Sequence, residues 1–541
     1  VSRILVLGGY GGFGGRISRR LRDRGHEVIV AGRRLAKARA FCAGDEGLIP
    51  LALDRGEDLA LARHRPDILI DAAGPFQHAS LHVPEACIEA GVDYLDIADA
   101  RDFVARVAGL DAAARAAGVA VISGASSVPA LSGAVARRLA GGVEDVRAVE
   151  IAISASNRAG AGASVATAIL SYAGRPIRLW RGQAWATGFG WHQLRRETFD
   201  LTDAPPLRGR RAALCEVPDL DLLPERLPGR PAVTFRAGTE LAIQNLGLAA
   251  ASRLVRWGVI RDLSAMARWL EAGRRLTARL GSDRSAMVVR LFGTAGGRRV
   301  ERRWTLIADA GDGPEIPALA VPILVERLRA GKIAPGAGDA GDLLDLADYE
   351  PAFAGLAIRH EQREIALPPP LYARAMGAAF NRLPGAVRAI HSVLRDDGAH
   401  GAATVTRGRN PIARLIGRIV GFPPAGKHQL HVHFEELDGV ETWTRRFSGK
   451  GFHSRLALRG PLVTERFGLL TFGFELPSDG SGLEMILRAW WFGPVRMPLF
   501  LGPRCDAREY EEEGRFRFDV SIGLPLIGPI AHYRGWLGVR G

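Results

Sequence analysis

A chain of 541 residues, 47% hydrophobic and 24% charged, is an ordinary globular composition that is too long for one core, and length alone argues for about three or four domains. The formal net charge of +14 is almost wholly arginine, since lysine stands only at 37, 332, 427 and 450. Without a dense basic run or a nucleic-acid motif, this charge argues against a nucleic-acid partner and leaves open contact with an anionic membrane surface.

No apolar run approaches the ~18 residues of a membrane-spanning helix. The chain reads as strand from residue 3, so no signal peptide is expected. Cys42, Cys87, Cys215 and Cys505 are scattered, which suits reduced thiols in a cytoplasm and gives no metal site.

The chain opens VSRILVLGGYGGFGGRISRRLRDRGHEVIVAGRR. An apolar run at 4–7 stops at glycine. A helix follows, with Ile17 and Leu21 four apart on one face and Gly25 at its end. A second apolar run covers 27–32. The turn between them, Gly9-Tyr10-Gly11-Gly12-Phe13-Gly14, is a G-x-G-x-x-G that follows a strand and opens a helix, the context of a dinucleotide site. Gly9 is expected to permit the tight turn, Gly11 to admit the pyrophosphate, and Gly14 to let helix and strand pack closely. The helix N-terminus supplies free N–H groups for the anion. An NAD site usually ends the second strand in Asp or Glu. Here Arg33 and Arg34 stand instead, and their forked donors suit the 2′-phosphate of NADP.

The alternation continues with a third strand ending at Asp54 and a fourth, PDILIDAAG, running into Gly74-Pro75-Phe76. The helix SLHVPEACIEAG, a fifth strand DYLDIAD, the helix DAAARAAG and a sixth strand VAVISGAS follow. This is an α/β pattern, a Rossmann-type doubly wound parallel sheet over residues 1–140, whose ligands bind at the carboxyl ends of the strands. All the residues just named lie at those ends, as do Asp96 and Asp99.

Residues 141–366 read as a mixed-sheet α/β domain of substrate- and dimerisation-type, so a homodimer is one expected assembly. Long strands are expected at VRAVEIAISAS and across 287–309, and helices at GAGASVATAILSYAG, LVRWGVI and ALAVPILVERLRAG. APGAGDAGDLLDLADYEPAF reads as an exposed linker, and Pro368-Pro369-Pro370 as a break. Residues 367–541 read as an α+β unit, with two amphipathic helices and then an antiparallel, β-rich remainder.

Several short stretches, in order, resemble the saccharopine-dehydrogenase-like oxidoreductases over residues 1 to about 360: GGYGGFGG, DAAGPFQ, ACIEAGVDYLDIAD, the Ser-Val-Pro after SGAS, and GDGPEIPAL. The resemblance implies an NADP-dependent reductase or dehydrogenase acting on a C=N, C=C or C=O group of a small or acyl substrate. One departure is that relatives often have Gly-Glu after the aspartate where this chain has Asp99-Ala100-Arg101. GRIVGFPP, FGPVRMPLFLGP and PLIGPIAHYRGWL resemble a bacterial domain of unknown function found fused to such reductases.

Catalysis is harder to place. A Tyr-x-x-x-Lys pair is absent, because Arg33, Leu328, Pro423 and Arg446 precede the four lysines at that spacing. Asp96 and Asp99 are the candidate acid–base residues, with loop or helix capping as the plainer role. Gln77, His78 and His82 read as surface residues. His431, His433 and Glu435 share a strand face that could bind zinc but is more simply solvated, and no metal is expected. The cluster Trp490-Trp491-Phe492 with Met497 to Phe500 reads as core, or alternatively as a lipid-sized cavity or membrane contact. A second function class follows from the missing acid–base group: an NADP-binding sensor or scaffold with a ligand- or lipid-binding C-terminal module.

Overall fold

The computed structural model describes residues 1–159, 163–263, 266, 272–273 and 276–538. The first sheet contains β1 (Arg3–Leu7), β2 (Glu27–Gly32), β3 (Leu48–Ala52), β4 (Ile68–Asp71), β5 (Asp93–Asp96) and β6 (Ala120–Ser123). All pairs are parallel, in the order β3-β2-β1-β4-β5-β6. The central strands are apolar almost without interruption because helices cover both faces. Strand order reverses between β1 and β4, where open α/β sheets bind ligands. Helix α1 (Gly12–Asp23) leaves β1 at that point.

The expected boundary at 140/141 divides this sheet. Strand Gly336–Asp339, from near the end of the second expected domain, pairs in parallel with β6. One hydrophobic core runs from Ile4 to Ile358 across both segments. The stretch 334–353, read as an exposed linker, is corrected likewise. It holds that strand and the helix Leu346–Ala354, with Ala340, Leu344, Tyr349 and Phe353 buried. Its glycines and aspartates serve structure rather than solvation: Asp345 and Asp348 form a capping box, and Asp339 pairs with Arg226.

The second sheet has seven strands. Asp145–Ala155 pairs in parallel with Ala232–Thr239 and antiparallel with Ser285–Ala295. Both expected long-strand regions are present. The hairpin Pro176–Arg181 with Ala184–Phe189, and the strands Arg195–Leu201 and Ala204–Leu214, were not legible, because arginine and proline break their apolar alternation. The helix expected over 160–174 is found as Ala163–Tyr172, and residues 160–162 lie outside the described residues. The helix expected at LVRWGVI is the end of Ala242–Arg256, with turns after it.

A separate core gathers residues 371–537. Two short helices, Leu371–Met376 and Gly385–Ile390, precede a twelve-stranded antiparallel sheet. This unit docks on the second sheet through charge. Arg395 holds both oxygens of Glu150 at 2.8 Å, and Arg147 meets Asp397 at 2.7 Å. The face with His431, His433 and Glu435 lies at this junction rather than in solvent. His431 bonds the Gly182 carbonyl, His433 pairs with Asp396, and Glu435 pairs with Arg195.

Candidate functional site: a nucleotide cradle and the cleft beside it

The turn after β1 uses glycine where the backbone demands it. Gly8 has φ 71°, and Gly11 donates its N–H to the Gly8 carbonyl at 2.8 Å. A Cβ on Gly8 would stand 2.9 Å from the Ala72 carbonyl oxygen, and one on Gly14 would collide with Gly8. The turn therefore works through Gly8, Gly11 and Gly14. Gly9 is required beside them, since a Cβ there would stand 2.8 Å from the Val6 carbonyl oxygen, but the left-handed residue of the turn is Gly8. Because Gly8 and Gly9 are adjacent, the sequence carries two overlapping spacings, Gly9/Gly11/Gly14 and Gly8/Gly11/Gly14, and only the backbone shows that Gly8 takes the positive φ.

Helix α1 starts bare. Its N-cap, Gly11, has no side chain to satisfy the first N–H groups, and no acid stands in its first turn. A Cβ at Gly12 would meet nothing within 4 Å, so the helix end faces open space. Phe13 packs on the core beneath. The Tyr10 ring stands against Gly32, and its hydroxyl accepts the Arg34 N–H at 3.1 Å. Arg33 and Arg34 are exposed, and neither guanidinium has a partner among the described residues. Asp54 lies in the turn after β3, where it accepts the Gly56 N–H at 3.0 Å. Gly74 and Pro75 lie in the loop after β4, joined by a cis peptide. An uncapped helix end at the switch point, open space at Gly12 and two unengaged arginines fit a dinucleotide phosphate chain with a further phosphate on the ribose.

Phe76, expected at the cofactor, is turned inward. It is 4% exposed, 5.3 Å from the Phe103 ring and under the Arg55 guanidinium. Arg55 in turn pairs with buried Asp71. This apolar packing beneath the loop after β4 withdraws the ring from the cleft.

The two candidate acids separate. Asp96 is fully enclosed, and its Oδ1 accepts from the Ala98 N–H, the Gly124 N–H and the Ser123 hydroxyl at 2.8–2.9 Å. It fastens the end of β5 to the end of β6 and cannot touch a substrate, which corrects its catalytic reading. Burial pushes its carboxyl up to about 6 against those hydrogen bonds. Asp99 is half-buried in the loop after β5. Gln77, expected on the surface, donates to it at 3.2 Å. Burial raises the Asp99 carboxyl as well.

Facing Asp99 from the second sheet's side is a pair that sequence reasoning missed. The Tyr172 hydroxyl bonds the buried Cys215 thiol, within electrostatic reach of Asp99. Burial first, and then Cys215, hold the Tyr172 hydroxyl far above its usual range. No local motif marks these two, because a helix end and a strand end bring them together from 43 residues apart in sequence. Arg101, at the departure from the resembled pattern, makes a forked ion pair with Asp221 and ties helix Arg101–Ala108 to helix Asp219–Arg226. Glu315 of GDGPEIPAL anchors α1 through Arg16 and Arg20.

Residues 4–122 match the model of the saccharopine dehydrogenase NADP binding domain, and residues 383–537 match a domain of unknown function, DUF4166. No curated protein matches the chain. Among solved structures, saccharopine dehydrogenase (L-Glu forming) from Saccharomyces cerevisiae is similar at 14% identity and TM-score 0.44, over 67% of this chain and 100% of that one. Amine dehydrogenase from Mycobacterium smegmatis is similar at 13% identity and TM-score 0.31, over 63% of this chain and 95% of that one. The first sheet is thus an NADP-binding domain of the saccharopine dehydrogenase type, carried in one chain with a DUF4166 domain.

Proposed function

We propose that the protein is an NADP-dependent oxidoreductase whose substrate, a small or acyl compound with a C=N, C=C or C=O group, lies in the cleft between the first and second sheets. The observation that carries this reading is the bare N-terminus of α1, open at the switch point, with Gln77 and Asp99 in the loops after β4 and β5 and Tyr172 at the end of the helix Ala163–Tyr172. When bound, the cofactor supplies or accepts the hydride.

The protein's own residues have distinct tasks. The α1 N–H groups hold the phosphate chain, and Arg33 and Arg34 hold the ribose phosphate. Burial keeps the Tyr172 hydroxyl neutral, so it serves as a hydrogen-bond donor to an atom that gains negative charge rather than as the acid that surrenders a proton. Asp99, whose carboxyl burial raises and which Gln77 holds in place, is the group that gives or takes the proton. Arg101 closes the cleft beside them and limits water.

The test is NADPH oxidation by the full chain against imines, enoyl thioesters and ketones, with Tyr172→Phe in parallel. Turnover with one class, reduced about a hundredfold or more in the variant, is expected. NADPH binding without oxidation across all three classes would instead favour a sensor or scaffold.

A further inference from the structure

The C-terminal sheet is curled around a cavity of about 450 Å³, within the ~300–1,000 Å³ usual for small-molecule sites. Leu430, Val432, Phe474, Ala507 and Ile522 represent its wall, to which most of the strands contribute alternate residues. The charges in that wall are already matched. Arg445 donates to Ser454 and, at 3.1 Å, to Glu465, while Glu509 meets His391 at 2.6 Å. The interior thus offers an apolar volume and no unpaired charge to receive a headgroup.

The two ends of this cup differ. One is closed by the helices Leu371–Met376 and Gly385–Ile390, where Ala386 bonds Glu511. The same end carries Arg395 and Asp397, which dock on the second sheet, and Asp396, which accepts the Gly182 N–H in the turn of the hairpin beside it. Strand pairing places the turns at 448–449, 468–469, 493–494 and 525–527, with the helix Pro411–Val420, at the other end, opposite the end docked on the second sheet.

At that mouth Ile412, Leu415, Leu469, Phe492, Phe500 and Leu526 are each more than half exposed. Trp490 and Trp491 of the same aromatic cluster are buried, so the core reading holds for them and fails for Phe492 and Phe500. The segments forming the mouth, 408–427, 448–450, 466–470, 492–504 and 524–528, hold eight arginines and lysines, among them Arg414, Lys450 and Arg496, and no aspartate or glutamate. An apolar rim set in unopposed positive charge matches the surface of an anionic bilayer.

We propose that this cup is a lipid site. Its mouth docks on an anionic bilayer, and the cavity takes up the chain of an acyl lipid whose anionic head stays among the basic residues of the rim. This inference stands independently of the reductase reading.

Two probes test it on the full chain: cis-parinaric acid in vesicle-free solution, and sedimentation with phosphatidylcholine vesicles with or without phosphatidylglycerol. Saturable parinaric acid binding, displaced by oleate, is expected, as is sedimentation only with the anionic vesicles. Ala507→Trp should abolish parinaric acid binding and leave sedimentation intact. Phe500→Asp, at an exposed position that does not threaten the fold, should weaken sedimentation about tenfold or more and leave parinaric acid binding intact. Arg496→Ala should weaken sedimentation about fivefold. Absence of saturable binding in the wild type overturns the cavity. Equal sedimentation with neutral vesicles, or none with either, overturns the docking mouth. If Ala507→Trp misfolds, oleate displacement in the wild type decides the cavity alone.

Discussion

The nucleotide cradle and the C-terminal cup shape space by opposite means. The cradle is backbone: three glycines spaced by three, a bare helix end and carbonyls too close for any side chain. The cup is side chain: its volume is the sum of alternate residues from strands that share no short motif. A backbone site tolerates almost no substitution but accepts any ligand with the right phosphates. A side-chain cavity tolerates many substitutions and owes its selectivity to volume and rim charge. Between the two lies the cleft where we place the chemistry, and there the comparison is most easily broken.

The largest effect is expected at Asp99. Asp99→Asn keeps a polar partner for Gln77 but removes the ionisable group, so turnover should fall by about a hundredfold to ten-thousandfold while NADPH affinity is unchanged. Steady-state kinetics with the identified substrate, beside a cofactor titration, would check it. Unchanged turnover would leave the Tyr172 hydroxyl as the polar group facing the substrate and reduce Asp99 to a loop residue.

Next comes the joint between the two regions. Burial alone would raise the Glu150 carboxyl, but Arg395, with Arg236 and Arg195, holds it at about 2. Removing one partner of such a buried pair costs about 3–5 kcal/mol. In Arg395→Ala the C-terminal unit should come loose, giving two calorimetric transitions where the wild type gives one, with NADPH affinity kept. A single unchanged transition would mean that the remaining contacts, such as Arg147 with Asp397, hold the units together.

The sequence disclosed the parallel sheet and the cradle well, because glycine spacing and continuous apolar runs are local consequences of backbone geometry. It did not disclose where the first sheet ends, since strand Gly336–Asp339 is written in glycine, alanine and aspartate and becomes a strand only by pairing with β6. Asp96 and Asp99 looked alike in sequence, and burial, a tertiary property, separates a fastener from a cleft residue. Phe76 was misplaced for the same reason. Tyr172 and Cys215 meet only in three dimensions, and the cavity had no local signature beyond an aromatic cluster that proved half core and half rim.

Asp96 gives a pH test of its fastening role. Its folded value of about 6 lies above the ordinary value of 3.8, so its contribution to stability is fully present below pH ~3.8 and is lost as pH rises through about 6. The whole effect is about 3 kcal/mol. Asp96→Asn retains an Oδ1 for the three donors and cannot ionise. The stability difference between wild type and variant, from denaturant unfolding across pH 4 to 7, should move in the variant's favour as pH rises. Parallel curves would show that Asp96 does not titrate in this range.

The smallest effect is expected at the end of β2. Arg33 and Arg34 are exposed, so part of what they give a phosphate is screened by water and salt. A hydrogen bond to a charged group is worth about 1.5–3 kcal/mol. Replacing either arginine by alanine should therefore weaken NADPH by roughly tenfold to a hundredfold and leave NADH unchanged. Arg33→Lys keeps the charge but loses the fork, so it should retain part of the preference. Gly12→Val makes the contrast. Its side chain would enter open space, so the fold survives, but it would occupy the approach to the phosphate chain and weaken both cofactors alike. Calorimetric titration of both cofactors into the wild type and these variants separates the two modes of recognition. If the arginine variants lose NADH and NADPH equally, the two side chains act on the shared phosphates, and the preference for the ribose phosphate must be sought elsewhere along the cradle.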